Sequence, residues 1–188
     1  MYEQIGKRAF DFALAVLALT LLSPLMAATA IAILIRDGRP VIFVQRRVGR
    51  NGDLFAINKF RTYPRETPEL ASADARALQA TRLGKHLRRT NIDELPQLWN
   101  ILRGDMSFVG PRPGLPSQVT QQRIREENGA ARLRPGLTGL AQIRGRDDMS
   151  ETEKATNDGE YARNVSFARD LVILAQTVFF IIRRPPVY

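Results

Sequence analysis

Residues Phe12 through Ile35 carry no charge, and this run of 24 constrains the fold more than any other feature of the chain. As a straight helix it would reach ~36 Å, enough to cross a ~30 Å hydrocarbon core. Ser23-Pro24 interrupts it near the middle. Pro24 has no N–H for the Thr20 carbonyl, and its ring crowds that group, so a kink is expected there. Both flanks are basic: Lys7 and Arg8 precede the run, and Arg36, Arg39, Arg46, Arg47 and Arg50 follow it. Basic flanks prefer the cytoplasm. A helix that enters and leaves by one leaflet satisfies both flanks; a Pro-kinked span is the alternative, and hydropathy alone does not separate the two. A signal peptide fits poorly, because the run is long and Ala27-Ala28-Thr29-Ala30 is a weak imitation of a cleavage site. A second apolar stretch, Leu171 to Ile182, is too short to cross. It reads as a core helix or as an interfacial one, with Arg183 and Arg184 among head groups.

The remaining sequence is long enough, within 188 residues, to bury a core, and 44% apolar content excludes wholesale disorder. There is no Cys and one His, His86. Disulfides, thiolate nucleophiles, zinc–cysteine sites and multi-histidine metal centres are thereby excluded. The net charge of +9 suits a polyanionic partner or a phosphorylated substrate. It is not a continuous stripe: residues 36–61 carry +5 and residues 123–146 carry +4, whereas residues 147–170 carry −4.

Val41–Val48 and Leu54–Phe60 read as short strands joined at Asn51-Gly52, a strong hairpin signal. Residues 62–81 read as a loop followed by an Ala-rich helical stretch. Leu95, Leu98, Trp99 and Leu102 recur at helical spacing, with Pro96 in the first turn and Gly104 as C-cap. Gln118–Arg132 reads as a polar helix, Arg134–Gly139 as a turn-rich loop, and Thr152–Ile182 as mostly helical. No repeat or Gly/Ser linker divides this part.

Three constellations could carry chemistry. Asp93 and Glu94 stand at a helix mouth, where carboxylates commonly complement the dipole. Here Arg82, Lys85, Arg88, Arg89, Arg103 and Arg112 surround them in sequence. Carboxylates beside an anion site make sense when a divalent cation bridges carboxylate and phosphate oxygens. One carboxylate can then attack phosphorus while its neighbour holds the metal. Lys59-Phe60-Arg61 points two cations to one face of a strand, or protects a sheet edge. Gly110-Pro111-Arg112-Pro113 fixes an arginine between two prolines, as a rigid loop or as a stiff phosphate clamp.

These residues lie within a longer pattern. It comprises Lys7-Arg8-x-x-Asp11; Ser23-Pro24; Phe43-x-Gln45-x-Arg47-x-Gly49-x-x-Gly52; Lys59-Phe60-Arg61-Thr62; Leu87-Arg88-x-Thr90-x-x-Asp93-Glu94-Leu95-Pro96-Gln97-Leu98-Trp99-Asn100; Gly104-Asp105-Met106-Ser107-x-Val109-Gly110-Pro111-Arg112-Pro113; Arg134-Pro135-Gly136-x-Thr138-Gly139; and Asp158-x-x-Tyr161-x-x-Asn164-x-Ser166-x-x-x-Asp170. In order and spacing it resembles the bacterial sugar transferases, the monotopic phosphoglycosyl transferases, from about Lys7 to about Ile182. One departure is Tyr63, where Met commonly follows Lys-Phe-Arg-Thr; on its face this leaves the chemistry untouched.

The resemblance implies a helix-rich α+β protein. A membrane-embedded re-entrant helix (residues 1–36), broken at Ser23 and Pro24, joins a compact cytoplasmic catalytic domain (37–188) with a short β-hairpin and interfacial helices, as one integrated unit. With no spanning helices upstream, the small form of the family is expected, monotopic on the cytoplasmic face of the bacterial inner membrane. The implied reaction moves a phosphosugar from a UDP-sugar to a polyprenol phosphate, undecaprenyl phosphate above all, and releases UMP. Mg²⁺ is the implied cofactor and membrane lipid a partner. The matching roles make Asp93 the nucleophile that carries a covalent phosphosugar and Glu94 its metal-supporting neighbour, both candidate metal ligands. Lys59, Arg61, Arg88, Arg112, Gln142 and Arg146 are the candidate substrate-binding residues.

Two other enzyme or binding classes compete. A metal-dependent hydrolase of nucleotide or lipid diphosphates would use the same carboxylates with water. A membrane-tethered nucleic-acid-binding protein would use the charge, but no run interleaves aromatics with cations and the acidic block opposes a phosphate backbone. A non-catalytic membrane scaffold would show no turnover at all. His86 reads as solvated, Trp99 as core, and Asp158 and Asp170 as residues that helix-surface ion pairing explains as well as function does.

Overall fold

The computed structural model describes residues 2–65, 67, 79–145 and 149–183. A π-helical turn, Tyr2–Gly6, leads into α1, Lys7–Arg36. The apolar run therefore lies inside one 30-residue helix, and helical backbone continues through Pro24 rather than stopping there. Ser23 makes this tolerable. Its hydroxyl donates to the Thr20 carbonyl at 3.0 Å, the carbonyl that Pro24 leaves without a donor.

α1 is apolar on most sides, and its faces differ. Phe12, Val16, Leu17, Leu21, Leu25, Ile31, Leu34 and Ile35 are exposed. Leu14, Ala15, Ala18, Leu19 and Leu22 pack into a cluster with Ile57, Leu98, Ile101, Met106 and Val109. Farther along, Met26, Ala30 and Ile33 meet Phe60 and Leu87. Both ends of the helix are tied to the rest of the molecule. At the start, Arg8 donates to the Ile101 and Leu102 carbonyls at 2.6 and 2.7 Å, Lys7 pairs with Asp170 at 2.6 Å, and Asp11 accepts from Ser107 Oγ and Phe108 N. At the end, Arg61 Nη2 donates to the Asp37 and Gly38 carbonyls at 2.6 and 2.7 Å, and Thr81 donates to the Asp37 carboxylate.

The hairpin forms as expected. β1 (Ile42–Val48) and β2 (Leu54–Phe60) are antiparallel, with Ile42 opposite Phe60 and Val48 opposite Leu54. Asn51 and Gly52 turn with φ of 54° and 85°, the left-handed conformations that residue pair favours. Asn100 locks β2 to the next helices: its amide donates to Ala56 O at 2.7 Å and accepts from Asn58 N at 3.1 Å.

α2 (Arg82–Arg89) is capped by Thr81, and α3 (Gln97–Arg103) ends at Gly104 with φ 97°. α4 (Val119–Glu127), α5 (Leu140–Gly145), α6 (Glu151–Arg163) and α7 (Phe167–Arg183) complete the order. The Arg134–Gly139 segment departs from the turn-rich loop expected of it. Gly136–Thr138 is a strand, β4, that pairs in parallel with β3, Ser107–Val109. Glycines allow the backbones to meet: a Cβ on Gly136 would lie 2.1 Å from Gly110 N, and one on Gly139 would lie 2.1 Å from Gly110 O.

Other expectations change as well. Trp99 is not core; it is 52% exposed on α3. Asp158 and Asp170 are not surface residues: they are 1% and 0% exposed, paired with Arg125 and Lys7. The carboxylates face inward from α6 and α7, so helical spacing alone mistook their side. His86 is exposed, as expected. The apolar stretch 171–182 lies in α7, with Ile173 buried and Leu171, Val172, Val178 and Phe179 exposed. The Ala-rich stretch before Thr81 falls largely outside the described residues.

Candidate active site

Asp93 and Glu94 occupy a 3₁₀ turn, Ile92–Glu94, entered through Asn91 at φ 56°. The chain then passes Leu95 and Pro96 into α3. The left-handed residue and the proline bracket the turn, so neither carboxylate can drift with a fraying helix end. Asp93 is 8% exposed.

Cations from three separate elements converge here. Lys59, on β2, donates to Glu94 Oε1 at 2.7 Å. Arg112, in the loop after β3, donates to the same oxygen at 3.1 Å. Arg88, on α2, acts on Asp93 electrostatically, as do Lys59 and Arg112. Arg88 also donates to the Tyr63 phenol at 2.6 Å and lies 5.0 Å from that ring's centroid.

The two carboxyls titrate in opposite directions. Burial, and after it the charge of Glu94, pushes Asp93 up to about 6 against the pull of the three cations. Burial also opposes ionisation of Glu94, but Lys59 and Arg112 outweigh it and hold that carboxyl well below the usual range. One member of the pair thus stays charged while the other is a desolvated carboxylate at neutral pH. Such separation of two adjacent acids is characteristic of reaction centres.

The backbone that carries Arg112 is held carbonyl by carbonyl. Pro111 O accepts from Gly136 N at 2.8 Å, Arg112 O from Arg125 Nη2 at 2.9 Å, Pro113 O from Arg47 Nη1 at 3.3 Å, and Gly114 O from Val48 N at 2.9 Å. The expected stiffness of this loop therefore has two sources, the prolines and these four bonds.

The Arg61 side chain is engaged at the C-terminus of α1. Gln142, on α5, lies close to Gly139, with both amide atoms buried and without a hydrogen-bond partner among the described residues. Arg146 falls outside the described residues. Sequence reasoning missed Tyr63 and Arg125 as neighbours of the site. The signal for Tyr63 was its adjacency to the Lys-Phe-Arg-Thr run; Arg125 had none.

Among the described residues no group of three or more His, Cys, Asp or Glu could hold a metal ion. Two adjacent carboxylates are the donors on offer. That set suits an ion such as Mg²⁺, which takes one or two carboxylates and completes its shell with phosphate oxygens and water.

The family model of the bacterial sugar transferases matches residues 2–184. An undecaprenyl-phosphate glucose phosphotransferase from Komagataeibacter xylinus is 38% identical over 94% of the chain, which spans 36% of that relative's length. A UDP-glucose:undecaprenyl-phosphate glucose-1-phosphate transferase from Caulobacter vibrioides is 42% identical over 93% of the chain and 68% of its own length. The exopolysaccharide production protein ExoY of Sinorhizobium fredii is 38% identical over 93% of the chain and 84% of its own. With the family model covering the hairpin, the carboxylate turn and the Arg112 loop alike, the chain belongs to the bacterial sugar transferase family.

Proposed function

We propose that the protein transfers a phosphosugar from a UDP-sugar to a polyprenol phosphate, through a phosphosugar bound to Asp93. One observation carries this reading: a buried carboxylate, Asp93, lies beside a second, Glu94, whose charge is already matched by Lys59 and Arg112. Asp93 can then act as nucleophile while the cations meet phosphate oxygens.

In the first step an Asp93 oxygen attacks the sugar-bearing phosphorus of the donor. A P–O bond forms, the bond to the bridging diphosphate oxygen breaks, and UMP leaves with that oxygen. In the second step a phosphate oxygen of the polyprenol phosphate attacks the same phosphorus. The Asp93 carboxylate leaves, and a polyprenol diphosphate sugar results. Both attacking groups are anions, so neither step requires a base. Lys59, Arg88 and Arg112 offset the charge that gathers on the transferring group. Asp93 and Glu94 would hold Mg²⁺, which supplies charge neutralisation and orientation to a diphosphate.

A two-step route suits one substrate in water and one in lipid, because each reaches the same carboxylate separately. Placement at a membrane is part of the reading: α1 as a re-entrant helix, the protein on the cytoplasmic face of the bacterial inner membrane. The fastening of both ends of α1 to the same body supports this. A 30-residue helix extends about 45 Å, and a span would carry one end across the bilayer, away from that body. The relatives' names divide among glucose, galactose and N-acetylgalactosamine, so a panel of UDP-sugars assayed for UMP release selects the donor.

The test omits the acceptor. Protein with donor and Mg²⁺ should release about one UMP per site, a stoichiometric burst of the kind covalent catalysis gives. A peptide containing Asp93 should gain the mass of a phosphosugar, and steady-state kinetics should be ping-pong. A ternary-complex pattern with no adduct would overturn the covalent route; free sugar phosphate as product would mean hydrolysis.

A further inference from the structure

We propose that Arg125 and Asp158 are positioning residues for Arg112: an ion pair between α4 and α6 that aims the Arg112 guanidinium at the donor's diphosphate. The proposal rests on the reading that Arg112 meets a substrate phosphate. Arg125 Nε and Nη2 both donate to Asp158 Oδ2, at 2.9 and 2.6 Å, and Nη2 donates as well to the Arg112 carbonyl at 2.9 Å. Arg125 and Asp158 are both buried.

Burial makes this pair a poor device for stability alone. Taking two charges out of water costs about as much as their attraction returns, and a well-packed apolar pair often folds as well or better. What an apolar pair cannot supply is a donor at the Arg112 carbonyl. That donor matters because prolines flank Arg112, so two of three successive residues have no N–H to fix the segment. Fixation runs through carbonyls instead, and the bond at residue 112 is the one nearest the functional side chain. Asp158 also neutralises Arg125, so the guanidinium behind Arg112 orients its backbone without drawing the donor's phosphate to itself. An arginine displaced by ~1 Å from a transferring phosphoryl group can lose about 100-fold in rate.

The test is a double-mutant cycle on the full-length protein in the membrane or detergent in which it is active. Arg125→Met combined with Asp158→Leu replaces the pair by apolar side chains and should keep the unfolding midpoint within a few degrees. Donor kcat/KM should fall about 10- to 100-fold, mainly through kcat. Adding Arg112→Ala should then cost less than about 3-fold, although Arg112→Ala in the wild-type background costs far more; coupling of this size marks residues that act as a unit. Arg125→Leu combined with Asp158→Met, a second apolar packing that likewise offers no donor to the Arg112 carbonyl, serves as the background if the first fails to fold. Additive losses in whichever background folds, or an unchanged kcat/KM, would overturn the positioning role. An Arg112→Ala variant that alone retains full donor kcat/KM would instead remove Arg112 from the phosphate site, and the present proposal with it.

Discussion

Tyr63 and Arg88 meet in two ways at once: the phenol accepts from Arg88 Nη1 at 2.6 Å, and the aromatic ring lies 5.0 Å from the same guanidinium. Tyr63 thus touches a cation that acts on the candidate nucleophile. Tyr63→Phe keeps the ring and loses the hydrogen bond, worth about 1 kcal/mol, so donor kcat/KM should fall about 5-fold. Tyr63→Met removes both contacts and should fall further. Steady-state UMP release at varied donor concentration checks the order; a Phe variant equal to wild type would show that the phenol does not orient Arg88.

The raised Asp93 carboxyl gives the reaction an acid limb. The nucleophile must be ionised, so single-turnover UMP release should decline as pH falls through about 6. Glu94 is one of the groups that raise Asp93. Glu94→Gln removes that repulsion and leaves Lys59 and Arg112 to act on Asp93, so the limb should move to lower pH even as the overall rate drops. A limb that moves upward, or stays in place, would assign the titration to another group.

Stability should respond in the opposite sense to activity. A carboxyl whose pKa is higher in the folded than in the unfolded chain weakens the fold at neutral pH, and that cost shrinks as pH falls through about 6 toward 4. Asp93→Asn should abolish turnover yet raise the thermal midpoint at pH 7.5, with a gain of at most about 3 kcal/mol for a shift of about two pH units. Thermal scans at pH 7.5 and 5 compare the two. A lower midpoint for the Asn variant at pH 7.5 would contradict the burial argument.

The two ends of α1 should face the same side of the membrane. The chain has no Cys, so single cysteines at Glu3 and Asn51 report cleanly. Both should share one accessibility to an impermeant reagent in intact cells; opposite labelling would establish a span. Ser23→Ala, which removes the donor to Thr20 O, should destabilise the fold by about 1 kcal/mol, read as a lower thermal midpoint.

Much of this was legible before any coordinates. Asn51-Gly52 demands left-handed backbone and so announced the hairpin; Gly104 closed α3 for the same reason. The Asp93-Glu94 pair could be read as a site because two adjacent carboxylates among basic residues offer donors to a divalent cation and partners to a phosphate. The β3–β4 pair could not be read, since three-residue strands show no periodicity and their pairing depends on backbone approach at Gly110, Gly136 and Gly139. Trp99 has helical spacing with Leu95 and Leu102, yet spacing fixes a face of a helix and not what covers it. Arg61 shares a strand face with Lys59 in the sequence, but it lies just past the end of β2, where its side chain turns to α1. Asp158 and Asp170 were ambiguous because a carboxylate on a helix reads alike from outside whether it faces water or a buried guanidinium or ammonium.

The contribution of α1 to both apolar clusters has a practical corollary for anyone seeking a water-soluble version of this enzyme. Trimming residues 7–36 would strip Ala15 and Leu19 from Leu98, Ile101 and Met106, and Ile33 from Phe60 and Leu87. It would also leave the Asp170 carboxylate without Lys7, the α1 cation it is now paired with. The product would be an opened interior rather than a freed domain. Solubility must come from recolouring the exposed side of the helix, at Leu17, Leu21, Leu25, Leu34 and Ile35, with its inner side left as it is.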